Sequence, residues 1–184
     1  RCLGLTWNRR NEAADGMSES CTGGGLTRFG RDLVKECDRL GIVIDLAHLS
    51  PRGVEDVFKA TSSPLIVSHA NARAVWDHPR NLTDWQLEEI ARRGGVVGVV
   101  PAPPFLGENP MTNQLSVLLD HVDHMVKVMG EDCVGFGGDF DGLEDMRVKG
   151  IEDVSCLPNL TQGLLDRGYK ASTIKKFLGG NYLR

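Results

Sequence analysis

The chain has 184 residues, of which 41% are hydrophobic and 25% charged, the composition of an ordinary globular domain with one sizeable core. A net charge of -4 and a pI near 5.7 give no electrostatic footprint for nucleic acid or an anionic membrane surface. No run of about 18 apolar residues occurs, so no transmembrane helix is expected. No signal peptide opens the chain, which begins RCLGLTWNRR as if a strand were already under way. The five cysteines, Cys2, Cys21, Cys37, Cys133 and Cys156, are scattered and form no CxxC. Neither a disulfide framework nor a zinc knuckle is indicated, and a reducing, cytoplasmic setting is the expectation.

Cys2–Trp7 reads as a strand, and residues 8–25 as a long polar loop of the kind that is functional or disordered. A helix is predicted over Thr27–Leu40, with Phe29, Leu33, Val34 and Cys37 at helical spacing and Gly41 as its stop. Ile42–Ala47 and Pro64–Val67 are short, almost continuous apolar runs, each followed by a histidine, His48 and His69. Such runs suit parallel strands buried on both faces. Between them Ser50-Pro51 starts a helix, as N-cap and first position, with Val54, Val57 and Phe58 on its apolar face. The loop HANARAVWDHPRN leads to a helix over Thr83–Arg93 with Leu87, Ile90 and Ala91 facing inward. Val96–Val100 is a further buried strand, and Pro101–Pro110 a proline-rich loop. A strongly amphipathic helix follows at Gln114–Met129, then a strand at Val134–Gly138 that runs into Asp139-Phe140-Asp141-Gly142. Leu160–Arg167 and Ser172–Leu178 read as terminal helices.

One strand followed by four helix–strand steps implies an α/β fold with a parallel sheet in a single domain, 1–184. Five strands do not close an eight-stranded barrel. The chain is therefore either an open sheet or the last five βα units of a (β/α)₈ TIM-type barrel, whose usual length is about 250 residues. The second is the expectation.

In such folds sites gather at the carboxyl ends of strands. Those ends here supply Trp7, His48, His69 and the pair Asp139 and Asp141. Imidazoles with carboxylates suit zinc or a similar divalent ion, which holds a water and polarises a carbonyl. Each histidine could instead cap a strand, but two in equivalent places favour a site. Asp139 and Asp141 would point the same way if their segment stays extended; DFDG also reads as a tight turn. Arg80, eleven positions after His69, could clamp a carboxylate or form a surface ion pair. His121 and His124, at i and i+3 on an outer helix, read as structural or solvated rather than metal-binding, and His78 has no evident partner.

IDLAHLS, SHANARAV with Arg80-Asn81, DHVDH, VGFGGDFDG followed by GLED, LTRFGRDLVKECDRLG and the terminal GGNYLR resemble the membrane (renal) dipeptidase family of zinc peptidases, over essentially the whole chain. The resemblance implies a (β/α)₈ barrel, present here as an incomplete one, with a binuclear zinc centre in the full-length protein. The implied reaction is hydrolysis of dipeptides, L,D-dipeptides among them, by a metal-bound hydroxide. It implies that His48 and His69 ligate one zinc, that Arg80 grips the substrate's terminal carboxylate, and that Asp139 passes the proton from water to the leaving amine. Asp141 is the lesser bearer of that role and a substrate contact. The family's HxD pair and bridging glutamate would lie upstream of Cys2, so the isolated chain is expected to be inactive. Where renal dipeptidase has a histidine after Leu-Thr on the fourth strand, this chain has Trp7, so Trp7 or Asn8 is expected to line the substrate pocket. No apolar C-terminal tail suggests a lipid anchor. The expected partner is a small dipeptide, with no nucleic acid or membrane and with homodimerisation open. An amidohydrolase-like activity on N-acyl amino acids or lactones, and a non-catalytic remnant acting as an interaction module, stand as alternatives.

Overall fold

A computed structural model describes residues 1–111, 114–143 and 145–184; Glu144, part of the GLED segment, lies outside the described residues. The chain forms two compact units, residues 1–68 with 93–95, and residues 69–92 with 96–184.

The first unit contains β1 (Cys2–Gly4), α1 (Arg28–Leu40), β2 (Val43–Asp45), α2 (Pro51–Ala60) and β3 (Leu65–Val67). The strands pair in parallel in the order β1-β2-β3, with Gly4 opposite Asp45 and Asp45 opposite Ile66. They are shorter than the apolar runs that encode them, because pairing stops before the apolar residues do. Leu46 and Ala47 are buried beyond the ladder. Thr27 caps α1 by accepting from the Gly30 amide, and Ser50 caps α2 by accepting from Gly53, with Pro51 behind it. Gly41, at φ 65, closes α1 in the left-handed conformation that glycine adopts without strain.

The apolar face of α1 differs from the predicted one. Val34 and Cys37 are buried, but Phe29 is 58% exposed, and Gly30 takes the inward place. A Cβ at Gly30 would sit 2.0 Å from the Ala13 carbonyl oxygen, so the helix is turned to let the 8–25 loop lie against it. That loop is ordered structure, with a 3₁₀ helix at Met17–Thr22 and bridges Ala14–Leu26 and Gly16–Leu49. Arg93 serves the other end of α2, donating from Nη2 to Phe58 O at 2.7 Å and from Nη1 to Thr61 O. Carbonyls in the last turn of a helix take donors from outside it, and this guanidinium serves two of them.

The second unit contains α3 (Asp84–Arg92), β4 (Val96–Val99), α4 (Pro103–Leu106), α5 (Leu115–Met129), β5 (Val134–Phe136), α6 (Leu157–Asp166) and α7 (Ala171–Phe177). β4 and β5 pair in parallel, and all four residues of β4 are buried, as expected of a strand covered on both faces. Thr83 and Gln86 make a reciprocal capping box on α3: the Thr83 amide donates to Gln86 Oε1 at 3.0 Å, and the Gln86 amide to Thr83 Oγ1. The proline-rich loop contains α4, where Pro103 and Pro104 occupy the first turn that tolerates a missing N–H. α5 buries Leu118, Leu119, Val122, Met125 and Met129 as its spacing predicts, and His121 with them. Truncating one of these leucines to alanine would cost about 2–5 kcal/mol. The terminal GGNYLR segment is held by Asn181, which donates to Glu131 O and Val134 O. Tyr182 lies where a Cβ at Gly135 would be, 2.5 Å from its ring. Among the described residues no helix is long and apolar enough to cross a membrane.

Candidate active site

In the first unit the site residues expected from the sequence, Trp7, Asn8 and His48, meet at the turn after β2. The Leu49 amide donates to Leu46 O at 3.2 Å, closing a four-residue turn with His48 at its third position. His48 takes φ 66, a conformation that usually belongs to glycine there. Three contacts hold it. The Met17 amide donates to His48 O at 2.8 Å, Asn8 Oδ1 lies 2.8 Å from His48 Nδ1, and the Trp7 ring sits tilted at 6.3 Å between centroids. An amide oxygen only accepts, so Nδ1 carries the proton and the lone pair is on Nε2. Trp7 is 73% exposed, an apolar surface beside that imidazole.

Asn8 is itself held from the loop. The Ser18 amide donates to Asn8 O at 2.9 Å, and a Cβ at Gly16 would strike the Trp7 and Asn8 carbonyls at 2.5 and 2.4 Å. Asp15 anchors that loop, accepting from Arg10 Nε and Nη2 at 2.5 and 2.8 Å and from Thr22 Oγ1 at 2.8 Å. The hydrogen bonds from Arg10 hold the Asp15 carboxyl below the usual carboxylate range. Asp45, at the end of β2, accepts at Oδ1 from the Ala47 amide at 3.0 Å and from the Ser68 amide at 2.9 Å.

In the second unit His69 and Asp139 face each other, Nε2 to Oδ2 at 3.9 Å, too long for a hydrogen bond. Asp139 does not continue β5 as an extended residue. It takes φ 46, and Phe140–Leu143 then forms a 3₁₀ helix, so the segment does not stay extended, the two aspartates do not point the same way as on a strand, and the reading of DFDG as a tight turn holds. Local packing explains the bend. The Gly142 amide donates to Asp139 O at 3.0 Å, and a Cβ at Gly142 would lie 2.6 Å from Asp139 Oδ1. Both aspartates nevertheless line one cleft of about 590 Å³, with Phe140, Arg147, Glu152, Asp153 and Val154.

The loop after His69 is pinned by two fully buried polar side chains. Asn71 exchanges hydrogen bonds with Val100, Nδ2 to O and N to Oδ1, both at 3.0 Å. The Ala72 amide donates to His121 Nδ1 at 3.2 Å, and His121 Nε2 lies 3.1 Å from Leu106 O. That pairing fixes His121 as the neutral Nε2–H tautomer, and burial pushes its pKa down. His121 is thus structural, as its place on an outer helix suggests, and Asp123 on the same helix accepts from Tyr169 Oη and Arg167. His124 lies 2.7 Å from Asp84 Oδ1. Further along the loop, Arg80 sets its guanidinium over the Phe105 ring at 5.4 Å. His78, for which the sequence suggests no partner, packs on that ring at 4.7 Å and accepts the Arg80 amide at Nδ1. Burial first, then Arg80 and Arg73, pushes its pKa down.

The imidazole donors fit zinc in kind, and the His48 tautomer fits it in detail, because a metal takes the lone pair opposite the N–H that a neighbouring oxygen orients. They are short in number: among the described residues no three His, Cys, Asp or Glu side chains converge, and a catalytic zinc takes three protein ligands. Asp45, Asn71 and Phe105 are site-shaping residues that sequence reasoning missed. Asp45 leaves a trace, since an aspartate closing an apolar β-branched run goes against strand propensity. Asn71 and Phe105 leave none.

Similarity to known proteins agrees with these features. The chain is 38% identical over its full length to an uncharacterised protein of the pqqA 5′ region in Klebsiella pneumoniae, covering 70% of it. It is 38% identical to an uncharacterised dipeptidase of Schizosaccharomyces pombe over 89% of the chain and 40% of that protein. A metallopeptidase structure from Rhodobacter sphaeroides, liganded with a phosphinate mimic of the dipeptide L-Ala-D-Ala, superposes with a TM-score of 0.92 at 39% identity, over 99% of this chain and 54% of that one. The dipeptidase PvdM from Pseudomonas aeruginosa, described as probable, gives 0.91 at 28% identity, over 61% of its length. The chain thus spans little more than half of these solved relatives, and its strands and helices are those of their TIM-barrel fold. The model of the membrane dipeptidase family, peptidase family M19, matches residues 1–184, and the chain belongs to that family.

Proposed function

We propose that the protein is a zinc-dependent dipeptidase and that this chain supplies two imidazole ligands, the proton-handling carboxylate and the substrate clamp. The observation that carries the reading is the Asp139 carboxylate, bent out of β5 at φ 46 and set 3.9 Å from His69 Nε2. A carboxylate beside a ligand imidazole can take a proton from attacking water and return it to the leaving amine. The relative liganded with a mimic of L-Ala-D-Ala supports a dipeptide substrate, with a D-residue accepted at the carboxyl side.

In this reading His48 and His69 bind zinc, which when bound polarises the scissile carbonyl and lowers the pKa of water. Asn8 fixes the His48 tautomer. Arg80, braced on Phe105, pairs with the substrate's terminal carboxylate, a bidentate contact that aligns the peptide. Trp7 offers an apolar wall where renal dipeptidase has a histidine, and Asp141 borders the cleft beside Asp139.

The test is metal analysis of the full-length protein with a panel of L,L- and L,D-dipeptides. Zinc-dependent hydrolysis of free dipeptides is expected. A second reading, hydrolysis of N-acyl amino acids, draws on exposed Trp7 beside His48 and on a Pseudomonas aeruginosa amidohydrolase that superposes with a TM-score of 0.87 at 29% identity. N-acyl amino acids therefore belong in the panel. Turnover of those alone would replace the dipeptidase reading.

A further inference from the structure

The β2–β3 ladder ends at Asp45, opposite Ile66, and the Leu46 amide donates to Ile66 O at 2.9 Å. Both chains then leave the sheet, one toward His48 and the other toward His69. At that point backbone amides lose their ladder partners, and each needs an acceptor. A single atom serves two of them. Asp45 Oδ1 accepts from Ala47 N at 3.0 Å, a contact two residues ahead, and from Ser68 N at 2.9 Å, twenty-three residues ahead. Ala47 immediately precedes His48, and Ser68 immediately precedes His69. His48 has further need of support, because its φ of 66 is one a non-glycine residue holds only where its surroundings impose it.

We propose that Asp45 is a positioning residue for both histidines, fixing through one carboxylate oxygen the backbone that presents each imidazole. The proposal rests on the reading of His48 and His69 as zinc ligands. Asp45 does not act as a ligand here. Its effect runs through two amides, so the acceptor oxygen matters and the full negative charge does not.

The test compares Asp45→Asn, Asp45→Ala and Asp45→Val in the full-length protein. Three quantities are read: zinc Kd by chelator competition, ring-nitrogen NMR shifts of His48 and His69 in the metal-free protein, and the metal-free Tm. Asp45→Ala is expected to weaken zinc about 10–100-fold, the usual effect of losing support behind a ligand. It should also shift His48 away from a single Nδ1–H tautomer. Asn keeps an oxygen in the same place and should restore both toward wild type. Val removes the acceptor while keeping strand propensity, and replaces Ala as the readout if Ala fails to fold. Wild-type zinc affinity and unchanged ring shifts in Ala or Val, with only Tm lowered, would overturn the proposal. So would an Asn variant as impaired as Ala. A wild-type protein that binds no zinc would sink the dipeptidase reading instead. The metal-free ring shifts would still decide the role of Asp45.

Discussion

Asn8 Oδ1 lies 2.8 Å from His48 Nδ1, and that contact decides which ring nitrogen of His48 offers a lone pair. Forty residues separate the two in sequence, and the loop carrying Asn8 is folded back by the Ser18 amide.

The first prediction follows from this pair. Asn8→Leu should weaken zinc binding about 10–100-fold, because the imidazole loses the partner that orients it. Asn8→Asp, which keeps an acceptor oxygen, should bind zinc as tightly as wild type or tighter. Chelator competition at fixed pH measures both. Equal affinity of the Leu variant and wild type would show that Asn8 serves the loop and not the ligand.

Asp139→Asn should leave zinc content near that of wild type and lower kcat by about 10²–10⁴-fold, since an amide keeps the shape but takes no proton. Asp141→Asn should be milder, because Asp141 lies on the 3₁₀ helix beyond the bend. Metal content and kcat measured on one preparation separate the roles. The opposite order of severity would transfer the proton role to Asp141.

Arg80→Ala should raise KM for dipeptides with a smaller change in kcat, the pattern for a contact made in ground and transition states alike. Phe105→Leu should do the same to a lesser degree, since it removes the ring beneath the guanidinium. C-terminally amidated substrates provide the control. If they lose as much as free dipeptides on mutation, Arg80 does not grip a carboxylate.

Stability should fall as the solution is made mildly acid. Burial depresses the folded-state pKa of His121 below the ordinary histidine value of about 6.5, so below that pH the unfolded chain takes up a proton that the folded chain refuses. Stability is then fully present above the unfolded pKa and declines as pH drops toward the lowered folded value. His78 is shifted the same way and adds to the slope, while the nearby Asp120 carboxylate opposes the shift at His121 less than burial drives it. His121→Leu should lower Tm at neutral pH, through the orphaned Ala72 N–H and Leu106 C=O, and flatten the acid slope. An unchanged slope in that variant would assign the acid response to other groups.

Much of the architecture was legible because it is encoded locally. Thr27, Ser50 and Thr83 announce helix starts through their own side chains, and the runs before His48 and His69 announce buried strands through unbroken hydrophobicity. Features set by distant contacts were not legible. Phe29 faces out because the Ala13 carbonyl, far back in the loop, claims the space at Gly30. The DFDG motif left an extended segment and a tight turn both open, and the packing of Asp139 on Gly142 decides for the turn. His121 is buried between Ala72 and Leu106, forty-nine and fifteen residues away, and no pattern within its helix names them. The roles expected of the two strand-end histidines rest on place and resemblance, whereas the contact of Asn8 with His48 is set by the fold of a distant loop.

His48 and Asp139 share an awkwardness that gives the backbone and the chemistry opposite preferences. Both hold positive φ, at 66 and 46, where glycine or asparagine would relieve about 1–3 kcal/mol of strain. A library of this protein sorted only for heat resistance or expression should therefore drift toward glycine and asparagine at these two positions, discarding an imidazole and a carboxylate on the way. Stabilisation and loss of turnover would rise together in the same clones, and positions where they do so would mark the site without any substrate in hand.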